Sequence, residues 1–169
     1  MKFKDIPQFP FSAYHVDVSW TQLLLNIDRL RERSGIILQP SFQRGLVWSQ
    51  KQKIAYCEYQ LQGGKSGREV FFNCPSWMGS FSDPLECVDG QQRIQAILDF
   101  LNNKIPVFDT FYQQFEDTLP YNVSLSFNVT RVKDRKELLK WYISLNKGGS
   151  YHTETDLAPA YKELKELGK

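Results

Sequence analysis

The chain has no apolar run long enough to cross a membrane, only three cysteines and two histidines, and no internal repeat or low-complexity tract. Without about twenty consecutive apolar residues no transmembrane helix is predicted. The start, Met1-Lys2-Phe3-Lys4-Asp5, lacks the apolar stretch of a signal peptide. A cytoplasmic protein with no membrane partner is therefore expected. Cys57, Cys74 and Cys87 are odd in number, widely spaced and free of any C-x-x-C pair. That pattern argues for buried thiols in a reducing compartment, against a disulfide framework or a zinc site. His15 and His152 stand in no H-N-H or H-x-K pattern, so histidine-dependent cleavage of nucleic acid has no support.

Two motif fragments are also incomplete. Gly64-Lys65-Ser66 matches the end of a P-loop, but Tyr59 stands where that motif needs glycine, and the segment follows a predicted helix where a strand is required. Glu163-Leu164-Lys165 has an E-x-K spacing, yet it lies in a charged helix without a preceding acidic strand. A turn and a solvated helix face are the expected readings.

What remains is a chain of 169 residues, 41% hydrophobic and 14% aromatic, enough to bury one sizeable core. One domain over residues 1–169, with its core at about 20–160, is the default. Net charge is only +2, but it is unevenly spread. Residues 29–68 hold eight Lys or Arg against two acids, and residues 69–130 hold two against eight. Two solvated surfaces of opposite sign would explain this; so would a basic patch around Arg31, Arg33, Lys51 and Lys53 that steers a polyanion such as DNA.

The spacing of Trp20, Leu23, Leu24, Ile27 and Leu30 predicts a helix over about 19–33, opened by a Ser19/Gln22 capping box and left at Gly35. Ile36-Ile37-Leu38 reads as a short strand. A loop, Ser41 to Gly45, precedes a second capping box, Ser49 with Gln52, and a helix ending at Gly63-Gly64. Val70-Phe71-Phe72 and Leu85 to Val88 look like strands of a hairpin-like unit. A helix follows to Asn102-Asn103, then an extended Ile105 to Phe108, a strand over 124–129, a helix over 134–145, and a last helix over about 154–167 that Pro159 should kink or divide. The class is α+β with a small mixed sheet.

Three polar clusters stand at element ends: Phe42-Gln43-Arg44 with Trp48, Asp89-Gly90-Gln91-Gln92-Arg93, and Asn146-Lys147-Gly148-Gly149. The second is the most informative. A strand, a tight turn and a helix start leave backbone N–H groups and the positive end of a helix dipole facing outward, and Arg93 adds a fork-shaped charge. A phosphate would fit above Gly90. Each cluster alone also has a plain reading, as a helix cap, a surface ion pair or first-turn residues.

The order P-S-F-Q-R-G-L-V-W-S at 40–49, V-D-G-Q-Q-R at 88–93 and L-N-K-G-G-S at 145–150 resembles the ParB/sulfiredoxin-like D-G-Q-Q-R domain. That domain forms the N-terminal part of GmrSD-type restriction enzymes and of SspE-like phage-defence proteins. The resemblance implies binding of a nucleoside triphosphate with Mg²⁺, hydrolysis in some members, and a role in DNA-directed phage defence or counter-defence. It implies a nucleotide site built from Gln43, Arg44, Gly90, Gln91, Gln92, Arg93, Asn146, Lys147, Gly148 and Gly149. Asp89 would hold the metal ion, with Asp89, Gln91, Gln92 and Arg93 as the catalytic candidates. Where the family commonly has arginine, this chain has Lys147, which keeps the charge and loses bidentate geometry. DNA, a defence or counter-defence protein and a second copy of the chain are the implied partners. A C-terminal nuclease module of the restriction enzymes is not expected within these 169 residues. Two further readings stay open: a non-catalytic module that binds DNA or protein, and a stand-alone ParB-like DNase, to which the residues lend least.

Overall fold

The computed structural model describes residues 2, 14–33, 35–77, 79–80, 82–147 and 154–168, with Arg31, Arg33, Lys147 and Glu154 described in their backbone alone. Five strands, β1 (Tyr14–Ser19), β2 (Ile36–Ile37), β3 (Glu69–Asn73), β4 (Leu85–Asp89) and β5 (Ser124–Thr130), form one sheet in the order β1-β5-β3-β4-β2. The β1–β5 and β3–β4 pairs are antiparallel, and the β3–β5 and β2–β4 pairs parallel. Helices α1 (Trp20–Arg33), α2 (Gln50–Leu61), α3 (Gln91–Leu101), α4 (Arg135–Lys147) and α5 (Glu154–Glu166) complete the α+β architecture.

Strand alternation sorts the apolar residues onto the two faces of the sheet. Val70 and Phe72 of β3, Leu85 and Cys87 of β4, and Leu125, Phe127 and Val129 of β5 join Trp20, Leu23 and Ile27 of α1 and the apolar residues of α3 in one core. On the other face Phe42, Val88 and Val132 pack with Leu138, Leu139, Tyr142 and Ile143 of α4 and Leu157 and Ala160 of α5. Helix α3 is buried around most of its circumference, from Ile94 to Leu101. Its N-terminus is therefore fixed by the whole larger core. All three cysteines are free and buried, and burial pushes each thiol pKa up.

Three local expectations are corrected. Strand β1 was not predicted; its Val16 and Val18 face Phe127 and Leu125 across the ladder. Ile105 to Phe108 does not run extended but turns back, with Val107 bridged to Thr110 and positive φ at Phe108 and Asp109. Pro159 does not divide the last helix, which runs from Glu154 to Glu166. The N–H that proline lacks would have met Thr155, an exposed residue of the first turn, where water can serve its carbonyl.

Lys53 links α2 to α3. Its ammonium lies 2.7 Å from Asp99, which Gln95 also holds at 2.8 Å. Burial pushes the Asp99 carboxyl up, and the bonds and charge of Lys53, with Gln95 and Lys104, outweigh it, so its pKa lies below the ordinary 3.8. A depressed folded-state value means stability that is complete above the ordinary carboxylate pKa and is lost as pH falls below it. Lys53→Met should lower the unfolding free energy at neutral pH by about 2 kcal/mol, because the carboxylate stays buried without its main partner. Urea denaturation at pH 7 measures this, and the same variant should unfold at a higher pH than the parent in an acid titration.

Candidate anion-binding cleft

The strand-turn-helix at residues 85–94 is built around one irregularity. Phe72 pairs with Cys87 but Phe71 pairs with Asp89, so Val88 is an extra residue in β4. A bulge turns consecutive side chains toward one face. Val88 enters the α4 core, and both Val88 and Asp89 line a cleft of about 320 Å³ with Gln43, Arg44, Trp48, Gly90 and Tyr142. Gly90 caps α3 at φ +103°, and a Cβ there would lie 2.4 Å from Val70 Cγ1. Both the backbone angle and the space demand glycine. The first helical bond runs from Ile94 N to Gly90 O. The N–H groups of Gln91, Gln92 and Arg93 thus lie outside the helical ladder, at the positive end of α3.

The second wall is the loop from Pro40 to Ser49, which the amide side chains lock in place. Gln43 Nε2 donates to the carbonyls of Cys87 at 2.7 Å and Val88 at 2.8 Å, across the bulge. In return Gln91 Nε2 donates to Arg44 O at 2.8 Å. Gln92 Oε1 accepts from Val47 N and Trp48 N, each at 3.2 Å, and its Nε2 donates to Gly45 O. The Ser49/Gln52 capping box then starts α2. Gln92 is engaged at both ends of its amide. Gln91 Oε1, by contrast, is buried without a hydrogen-bond partner among the described residues.

Both arginines face carboxylates. Arg93 Nη2 lies 3.1 Å from Asp89 Oδ2, and its Nη1 donates to Glu69 O. Arg44 Nη1 lies 2.9 Å from Asp156 Oδ2 of α5. Tyr142 closes the cleft from α4, its pKa pushed up to about 12, mainly by burial. Asn146 lines the same wall, with its Nδ2 on Tyr142 O at 2.8 Å. The structure therefore brings together Gln43, Arg44, Asp89, Gly90, Gln91, Gln92, Arg93 and Asn146. Lys147 ends α4 with only its backbone described, and Gly148 and Gly149 lie outside the described residues.

Two residues at this site escaped sequence reasoning. Tyr142 stands four positions before Asn146 on one helix face, a spacing that could have flagged it. Asp156 carried no signal, because nothing in a helical pattern tells which surface acid will reach Arg44.

Among the described residues no cluster of three or more His, Cys, Asp or Glu could hold a metal ion on its own. A magnesium ion takes most of its oxygens from phosphate and water and needs only one or two carboxylates. Asp89, partly exposed and with Oδ2 on Arg93, fits that lesser demand. The basic patch is less coherent than its sequence. Lys51 is exposed, Lys53 is held by Asp99, and the side chains of Arg31 and Arg33 are not described. Glu163 of the E-x-K fragment is bound by Arg135 at 2.6 Å and by Ser41 at 3.0 Å. Gly64 and Ser66 give their carbonyls to Arg68 and Gln60.

No helix among the described residues is long and apolar enough to cross a membrane. The sequence model of one family, described as GmrSD restriction endonuclease, N-terminal domain, matches residues 24–122. No curated protein and no solved structure matches the chain. The matched segment contains the loop wall and the bulged turn of the cleft, and α4 and α5 lie beyond it.

Gly90→Ala should destabilise the chain by about 3 kcal/mol, from a left-handed backbone angle imposed on alanine and overlap with Val70. Val70→Ala removes Cγ1 but leaves the Cβ at 2.9 Å and opens space in the core, so the double variant should lose less stability in urea denaturation than the sum of the two single variants.

Proposed function

The chain belongs to the family of N-terminal domains of GmrSD restriction endonucleases, and we propose that its cleft binds the phosphates of a nucleoside triphosphate in DNA-directed phage defence. One observation carries this reading: Gly90, Gln91, Gln92 and Arg93 at the start of α3 line the cleft together with Arg44 of the facing loop, so the positive end of a helix and two guanidiniums converge on one space. The cleft volume of about 320 Å³ falls at the lower end of ordinary small-ligand sites.

Each residue then has a task. Arg44 and Arg93 neutralise phosphate charge, Arg44 through a guanidinium suited to two phosphate oxygens at once. Asp89 would hold Mg²⁺, which supplies further charge neutralisation when bound. Trp48, Tyr142 and Leu145 offer apolar and aromatic surface beside the phosphates. The two glutamines divide their roles. Gln92 positions the loop. Gln91 holds the Arg44 carbonyl through Nε2 and so sets Arg44 against the start of α3, while its Oε1 is sealed from solvent.

A second reading is a sensor that binds without turnover. It is favoured by the Nε2 atoms of Gln43, Gln91 and Gln92, all of which are engaged by loop or strand carbonyls.

Calorimetric titration with the four ribonucleoside triphosphates and Mg²⁺, paired with a phosphate-release assay, tests both. At least one nucleotide should bind, and Arg44→Ala should weaken it by about tenfold or more. Binding with phosphate release supports an NTPase, and binding without release supports the sensor. No heat with any of the four would refute the nucleotide reading.

A further inference from the structure

We propose that α5 is a latch on the cleft: Asp156 occupies an anion position beside Arg44, and an entering nucleoside triphosphate displaces it and loosens the first half of the helix. The proposal rests on the nucleotide reading of the cleft and adds a regulation to it.

The two ion pairs at the cleft differ in kind. Asp89 and Arg93 belong to one strand-turn-helix unit, four positions apart, and stay together whatever the rest of the chain does. Asp156 reaches Arg44 from another element, in the first turn of α5. The two side chains are 22% and 21% exposed, so the pair is partly dehydrated and still open to exchange. A phosphate offers the guanidinium more charge and a bidentate fit, and it competes with the carboxylate for that position.

Helix α5 is pinned differently along its length. Leu157 and Ala160 enter the core shared with α4, Asp156 holds the start through Arg44, and Glu163 holds the far end through Arg135 and Ser41. Of these polar anchors only the first ends on a residue that lines the cleft. Its loss would free the beginning of α5 while Glu163 keeps the end in place. Occupancy of the cleft would thus be written onto the surface as local opening of one helix. While the latch is closed, the Asp156 carboxylate also repels an approaching triphosphate and lowers its affinity.

The test uses the full chain, Asp156→Asn and Asp156→Ala, with calorimetry against the four ribonucleoside triphosphates and Mg²⁺ and hydrogen exchange at Ala158 and Ala160. Asp156→Asn should bind the preferred nucleotide about tenfold more tightly than the parent. Saturating nucleotide should speed exchange at these two amides by about tenfold in the parent. In both variants exchange should already be fast and should not respond to ligand. Equal affinities, or parent amides that saturating nucleotide leaves unmoved, would overturn the latch and leave nucleotide binding standing. Failure of parent and variants alike to bind any of the four would remove the nucleotide reading, and the latch with it.

Discussion

The site depends on an exchange of amide hydrogen bonds between the loop at 43–48 and the turn at 87–92. Gln43 reaches from the loop to the carbonyls on either side of the β-bulge, while Gln91 and Gln92 reach back to the backbone from Arg44 to Trp48. Each bond contributes on the order of 1 kcal/mol. Their larger effect is geometric. They hold Arg44 at a fixed place relative to the N-terminus of α3, a helix buried along most of its length in the larger core. Removing one amide would leave buried carbonyls or N–H groups unpaired, so the loop and the turn are expected to fail together.

That rigidity explains why the charges matter more than their number. The cleft presents two arginines and answers each with a carboxylate. Neutralised pairs of this kind avoid leaving cations uncompensated in a partly dehydrated cleft, and they make binding an exchange of anions. While the Gln91 N–H meets the Cys87 sulfur, the α3 dipole and the N–H groups of Gln92 and Arg93 are not matched by an ion pair in this way. They supply the attraction that does not have to be won from another group, and the arginines supply selectivity for a multiply charged ligand over a carboxylate. Among the described residues that line the cleft, Asp89, paired with Arg93, is the carboxylate.

The fold was legible in the sequence where periodicity was strong. The helices at 20–33, 50–61, 91–101 and 135–147 lie close to where apolar spacing and the Ser49/Gln52 capping box put them, and the strand-turn-helix at 85–94 follows from Val88-Asp89-Gly90. Four features were not legible, each for a physical reason. Strand β1 pairs only at the sheet edge, and its alternation is short. The extra residue Val88 becomes a bulge only against β3, a relation between distant segments. Lys53 looked like part of a basic patch, and tertiary contact with Asp99 gives it a structural partner instead. Asp156 is one acid among several on a solvated helix until α5 docks. In each case a pairing between distant segments decided the role.

The most direct test of the cleft is an amide NMR titration of the full chain with its preferred nucleoside triphosphate and Mg²⁺. Phosphates seated on the start of α3 should produce the largest shifts at the N–H groups of Gln91, Gln92 and Arg93, with Val47 and Trp48 moving with them through the Gln92 clamp. Shifts that leave these five amides in place and gather elsewhere, as around the larger cleft lined by α1 and β1, would contradict the account.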